Sequence, residues 1–204
     1  MKTWNRIVLG AACGTMLLTA GCVRLWTKTL DIKTYMVETE RGFQPVEKPL
    51  ADTLWIDTVG VLPPFNVRNL VLRKSDVEYE TSYYTELLLS PSENFRNNVY
   101  TWFASSGIFR AVSIAERSGM SHRLAVSVLK FYGDVSAEPG LAALTVKATL
   151  FDERTNGMNI LFSKDYVQQI AVADASAEEL IRAYNQALQQ ILTDCEKDVV
   201  AALQ

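Results

Sequence analysis

The sequence predicts one α+β domain: a mixed, mostly antiparallel β-sheet packed by two main α-helices. Three observations carry this expectation. Two stretches open with helix-capping chemistry and continue with an apolar face at helical spacing. Three long β-rich runs near the C-terminal half are separated by turn residues. No linker, repeat or low-complexity tract interrupts the 204-residue chain after residue 31, so a single core is the economical arrangement.

Taken in order, Lys33 to Glu38 reads as a first strand. Arg41 to Ala51, with two prolines and mixed charge, reads as a loop. Thr53 to Leu62 is rich in β-branched residues and carries Trp55, and Pro63-Pro64 ends it as a strand. Asn69 to Arg73 and Val77 to Thr81 are shorter strands. The first helix starts at Ser90-Pro91-Ser92-Glu93: Ser90 caps, Pro91 suits the first helical position and Glu93 completes a capping box. Phe95, Val99, Trp102 and Phe103 then form one apolar face, and Gly107 is placed to end the helix in a left-handed conformation. Ile108 to Ile114 follows as a strand.

His122–Tyr132, Leu141–Asp152 and Met158–Ala173 read as an antiparallel meander, with Glu138-Pro139-Gly140 and Asn156-Gly157 as its turns. In the middle run Leu144, Val146, Ala148 and Leu150 alternate with Thr145, Lys147 and Thr149, the pattern of a sheet with one wet face. Ser176 and Glu179 open the last helix. Its stripe of Leu180, Tyr184, Leu188, Ile191, Cys195, Val199 and Leu203 is suited to pack on that sheet.

The N-terminus follows a different logic. Lys2 and Arg6 precede an apolar run from Ile7 to Leu18, and Leu18-Thr19-Ala20-Gly21-Cys22 follows. A basic region, a short apolar region and small residues before a cut describe a signal peptide over residues 1–21. The run is too short to span a hydrocarbon core, which takes roughly 20 apolar residues. The last five residues resemble a bacterial lipobox, although Thr19 stands where Leu is commonest. That resemblance implies acylation of Cys22, cleavage before it, a short lipidated tether over residues 22–31 and a folded domain over 32–204. Val23 rather than Asp after the cysteine favours the outer membrane of a Gram-negative cell, facing the periplasm.

Cleavage removes two cations and no carboxylate, taking the net charge from −3 to −5. No basic stripe is present, which argues against nucleic acid as a partner. With Cys22 acylated, Cys195 is left without an intramolecular disulfide partner, and on its apolar helix face it reads as a small buried hydrophobe.

Catalytic and metal chemistry finds little support. His122 stands alone, so a zinc site of His and Cys lacks ligands, and no nucleophile elbow accompanies it. No glycine-rich phosphate loop occurs, and no cofactor is expected. Asp76, Glu78 and Glu80 alternate and are expected to line the solvated face of a strand.

Between residues 54 and 112 the chain resembles the ABC-type transport auxiliary lipoprotein family. The likeness lies in the strand from Trp55 to Pro63 and in Arg68-Asn69-Leu70-Val71-Leu72-Arg73. It continues in the Tyr-rich segment from Val77-Glu78-Tyr79 to Tyr83-Tyr84, the helix entered through Ser90-Pro91, and Ser106-Gly107-Ile108-Phe109-Arg110-Ala111-Val112. Many members have Trp where this chain has Tyr83-Tyr84.

The resemblance implies a non-enzymatic envelope component beside an ABC transporter permease and ATPase and a mammalian-cell-entry-type protein, with self-assembly into a homo-oligomer as a further implication. Arg68, Arg73, Tyr79, Tyr83 and Tyr84 are the candidate partner contacts, since Arg and Tyr are enriched at binding hot spots. The bland alternative is that the arginines are solvated and the tyrosines half-buried. A different role, regulation of a cell-wall synthase from the outer membrane, usually needs a long disordered reach, whereas only about ten residues separate Cys22 from the first strand.

Overall fold

The computed structural model describes residues 31–115, 118–154 and 159–204. The expected leader, Cys22 and the tether up to residue 30 lie outside the described residues, as does the Asn156-Gly157 turn. The expected α+β architecture is present. Its centre is the meander of β7 (His122–Asp134), β8 (Gly140–Asp152) and β9 (Asn159–Val172). These pair antiparallel along nearly their whole length, from His122 opposite Asp152 to Asp134 opposite Leu141, and from Gly140 opposite Val172 to Asp152 opposite Asn159.

The other edge of β7 is covered by three short strands in succession, all parallel to it. They are β2 (Ala51–Ile56), β3 (Gly60–Val61) and β4 (Asn69–Arg73). The single strand expected over Thr53–Leu62 is therefore broken. Ile56 lies opposite Leu124 and Gly60 opposite Ser127, so the segment fits one more residue than β7 offers, and the excess is taken up over Asp57–Val59. At one end β6 (Phe109–Ser113) pairs parallel with β2. At the other, β5 (Tyr79–Leu87) pairs antiparallel with β4, and β1 (Lys33–Tyr35) pairs parallel with β5.

Helices α1 (Pro91–Ser106) and α2 (Ala177–Leu203) pack on one face of this sheet. Ser90 and Glu93 form the full capping box with Pro91 in the first turn, and Ser176 accepts from the Glu179 amide. Phe95, Val99, Trp102 and Phe103 of α1 and the whole expected stripe of α2 up to Val199 are buried. Phe131 meets both helices, with Phe95 at 5.2 Å and Tyr184 at 4.5 Å between ring centroids. Tyr132, its neighbour in β7, points to the opposite face, where it stacks with Phe65 at 5.7 Å and meets Tyr79 edge to face at 5.6 Å. Cys195 is buried among these residues as expected, and burial pushes its thiol up to about 12.

The stretch from Met36 to Leu50 has no regular structure, yet it is an ordered strap rather than a plain loop. The expected strand Lys33–Glu38 stops at Tyr35, where the chain leaves the sheet and crosses both helices. Along the way Glu38 N donates to Asn185 Oδ1 at 3.0 Å, and Thr39 N donates to Asn98 Oδ1 at 2.9 Å. Asn98 Nδ2 donates back to Val37 O, and Gln189 Nε2 donates to Glu40 O. The Glu196 carboxylate on α2 accepts from Arg41 Nε at 2.8 Å and Nη2 at 2.7 Å, and from Trp102 Nε1 of α1 at 2.7 Å. The Arg41 side chain is 5% exposed and that of Glu196 14%, so this is a largely dry ion pair.

The strap also explains the Ser106-Gly107 signature. Val46 N donates to Ser106 O at 2.8 Å. Gly107 has φ 74° and lies so close that a Cβ there would sit 2.7 Å from Val46 O. Gly119 shares the left-handed conformation at φ 75° but faces open space. Gly119→Ala should therefore cost about 1 kcal/mol, the backbone penalty alone, whereas Gly107→Ala should cost more than about 2 kcal/mol in denaturant melts.

Candidate partner-contact surface

The candidate contact residues lie on β4 and β5, with Arg68 immediately before β4, and the structure divides them sharply. Arg73 is consumed within the fold. Its Nη1 donates to Asp134 Oδ2 at 3.0 Å, Nη2 to Asp76 Oδ1 at 2.9 Å and Nε to Ser75 O at 3.1 Å. Partial burial works against charge on Asp134, but hydrogen bonds from Ser136 and the Arg73 guanidinium hold its carboxyl below the usual range. Arg68 is partly exposed but anchored: Nε donates to Leu87 O at 2.9 Å, and Nη2 lies 3.5 Å from Glu86 Oε2. Tyr79 is divided between the Phe65–Tyr132 cluster and solvent.

Tyr83 and Tyr84 behave differently, and the cause is a bulge. Asn69 lies opposite Glu86, and Val71 lies opposite Thr81. Ser82 to Thr85 thus face the single residue Leu70, and Asn69 Nδ2 donates to Ser82 O at 2.9 Å to hold the excursion. In a regular strand, neighbouring side chains point to opposite faces and one of the two would meet the core. Here both are outside, Tyr83 at 76% and Tyr84 at 59% exposure. Val77, at the tip of the β4–β5 hairpin, is 90% exposed. Asp76 and Glu78 also belong to this tip, with Lys74 N donating to Glu78 O, so the expected acidic face of a strand over 76–80 does not form. β5 begins only at Tyr79 and runs on to Leu87, beyond the expected Thr81.

His122 sits at the other end of the sheet as a buried, partly satisfied residue. Its Nδ1 lies 2.9 Å from Ser121 Oγ, its ring packs on Phe109 at 5.7 Å, and Nε2 has no hydrogen-bond partner among the described residues. Burial lowers its pKa, and the Arg154 charge adds to the effect. The Arg154 guanidinium also donates twice to Asp152 and its backbone amide once, and together they hold that carboxyl far below its ordinary range. Among the described residues, no three His, Cys, Asp or Glu side chains gather as a metal site.

The space enclosed between α1, α2 and the sheet, lined by Phe95, Val126, Leu188 and Cys195, amounts to about 10 Å³. That is about the volume one water needs.

No family model and no curated protein matches this chain. Solved structures of the same fold exist. Protein XCC0632 from Xanthomonas campestris, a DUF330 protein, has a TM-score of 0.69 at 16% identity over 84% of this chain and 95% of its own. An uncharacterized protein aligns with a TM-score of 0.66 at 14% identity, over 82% of this chain and 98% of its own. The hypothetical protein CT253 from Chlamydia trachomatis aligns at 0.54 and 10% identity, over 74% and 98%. At these identities the likeness establishes the fold alone.

The environment of His122 sets a pH dependence. A histidine held neutral in the fold takes up a proton on unfolding, so its contribution is whole above its unfolded pKa of about 6.5 and lost as pH falls below it. Melting temperature should decline between pH 7 and pH 5, and the slope over that interval should flatten in His122→Phe.

Proposed function

We propose that this chain is a non-catalytic, lipid-anchored envelope protein that docks an ABC-type, mammalian-cell-entry-associated lipid transport assembly to its membrane. Cys22 supplies the anchor: each buried CH₂ contributes about 0.8 kcal/mol, so two or three acyl chains hold the protein stably where one would hold it only marginally. The ordered run of motifs from Trp55 to Val112 supports the family assignment, and Val23 after the cysteine supports the outer membrane.

The filled interior carries the choice of a docking role over a carrying one. A space of about 10 Å³ between helices and sheet cannot lodge an acyl chain, since small-molecule sites run to several hundred Å³. The helix–sheet interior is thus not a lipid site, which favours a body that holds other components in place over one that carries lipid inside its core.

Cross-linking in intact envelopes followed by capture of the lipidated protein tests the reading. Recovery of a permease, ATPase or mammalian-cell-entry-type subunit is expected, with much lower recovery for Cys22→Ser. Reproducible recovery of a cell-wall synthase instead would favour the regulatory alternative.

A further inference from the structure

We propose that the aromatic rim of β5 rests on the interface of the same bilayer that holds Cys22, as a second membrane contact built into the fold. The inference depends on the reading of Cys22 as the acylated residue.

Position comes first. β1 opens the folded body, with Lys33 opposite Thr85, so Ile32 is level with Tyr84 and the chain leaves toward its N-terminus beside the bulge. Nine residues lie between Cys22 and Ile32, a reach of at most about 35 Å when fully extended. The tether therefore joins the domain at the edge that carries Tyr83 and Tyr84, within reach of the membrane that holds Cys22.

Chemistry agrees with position. Ile32, Tyr83, Tyr84 and Leu88 are exposed hydrophobics at the end of β5 where the chain leaves, and half-exposed Tyr79 and exposed Val77 continue the edge to the hairpin tip. The bulge blunts this edge against pairing with another strand, and in doing so it turns two adjacent tyrosines to the outside. Tyrosine, with an apolar ring and a polar tip, is a residue of membrane–water interfaces. The charges nearby give no net attraction to an anionic surface: Lys33, Arg68 and Lys74 stand against Asp31, Asp76, Glu78, Glu80 and Glu86. The contact is therefore interfacial rather than electrostatic.

Spin labelling tests this in the lipidated protein reconstituted into phosphatidylethanolamine–phosphatidylglycerol vesicles. Cys195 is buried with a raised pKa, so Tyr83→Cys, Tyr84→Cys and, on the far strand β9, Gln169→Cys can each be labelled selectively. Vesicle flotation checks the anchor in each sample. Labels at 83 and 84 should show a several-fold higher ratio of oxygen to nickel-chelate accessibility than the label at 169, insensitive to salt.

If the protein floats but all three labels are equally water-exposed, the second contact is refuted while the anchor stands. If it does not float, both readings fail. If the labels at 83 and 84 become immobilised only when transporter subunits are added, the rim is a protein contact and the proposal is overturned.

Discussion

The carboxylate of Glu196 holds together three parts of the chain that are far apart in sequence. It receives two hydrogen bonds from Arg41 on the strap and one from Trp102 on α1, while itself belonging to α2. Arg41 Nη1 donates to Phe43 O at 2.8 Å, so the cation is also bonded to the strap it belongs to. Removing one partner of such a dry pair leaves the other charged and unsolvated, at a cost of about 3 kcal/mol or more. Because the strap also bonds to Asn98, Asn185 and Ser106 O, its seating fixes how α1 and α2 lie against each other on the sheet.

This constraint gives the sequence motifs a structural meaning. Ser106 offers its carbonyl to Val46, Gly107 makes room for the Val46 backbone, and Phe109 packs on buried His122. Arg73 holds the β4–β5 hairpin to Asp134 at the end of β7. Arg68 ties the start of β4 to the end of β5. Residues that look like a functional signature are thus largely the fasteners of the fold. The two tyrosines that fasten nothing are the ones left for contact with something outside.

Local chemistry made much of this legible in advance. Both helices announce their starts because capping is decided within four residues, and the meander is visible because its pairing partners follow one another with short turns. The strap was not legible as structure, because its bonds reach about 60 to 150 residues away and irregular backbone has no period. A faint signal existed in Asn98 and Asn185, poor helix formers set inside helices. The bulge in β5 was hidden for a similar reason: it arises from register against β4, which Tyr83-Tyr84 alone does not encode. Asp76 and Glu78 alternate as a strand would, but the turn bonds of Lys74 and Glu78 prevail.

Native-state hydrogen exchange on Glu196→Gln, which preserves shape and removes charge, probes the strap most directly. In the parent, the amides of Glu38, Thr39 and Val46 should exchange as slowly as those of α1 and α2. In the variant they should exchange much faster, together with the facing turns of both helices, while β7 and β8 stay protected. Strap amides that already exchange rapidly in the parent would contradict this account.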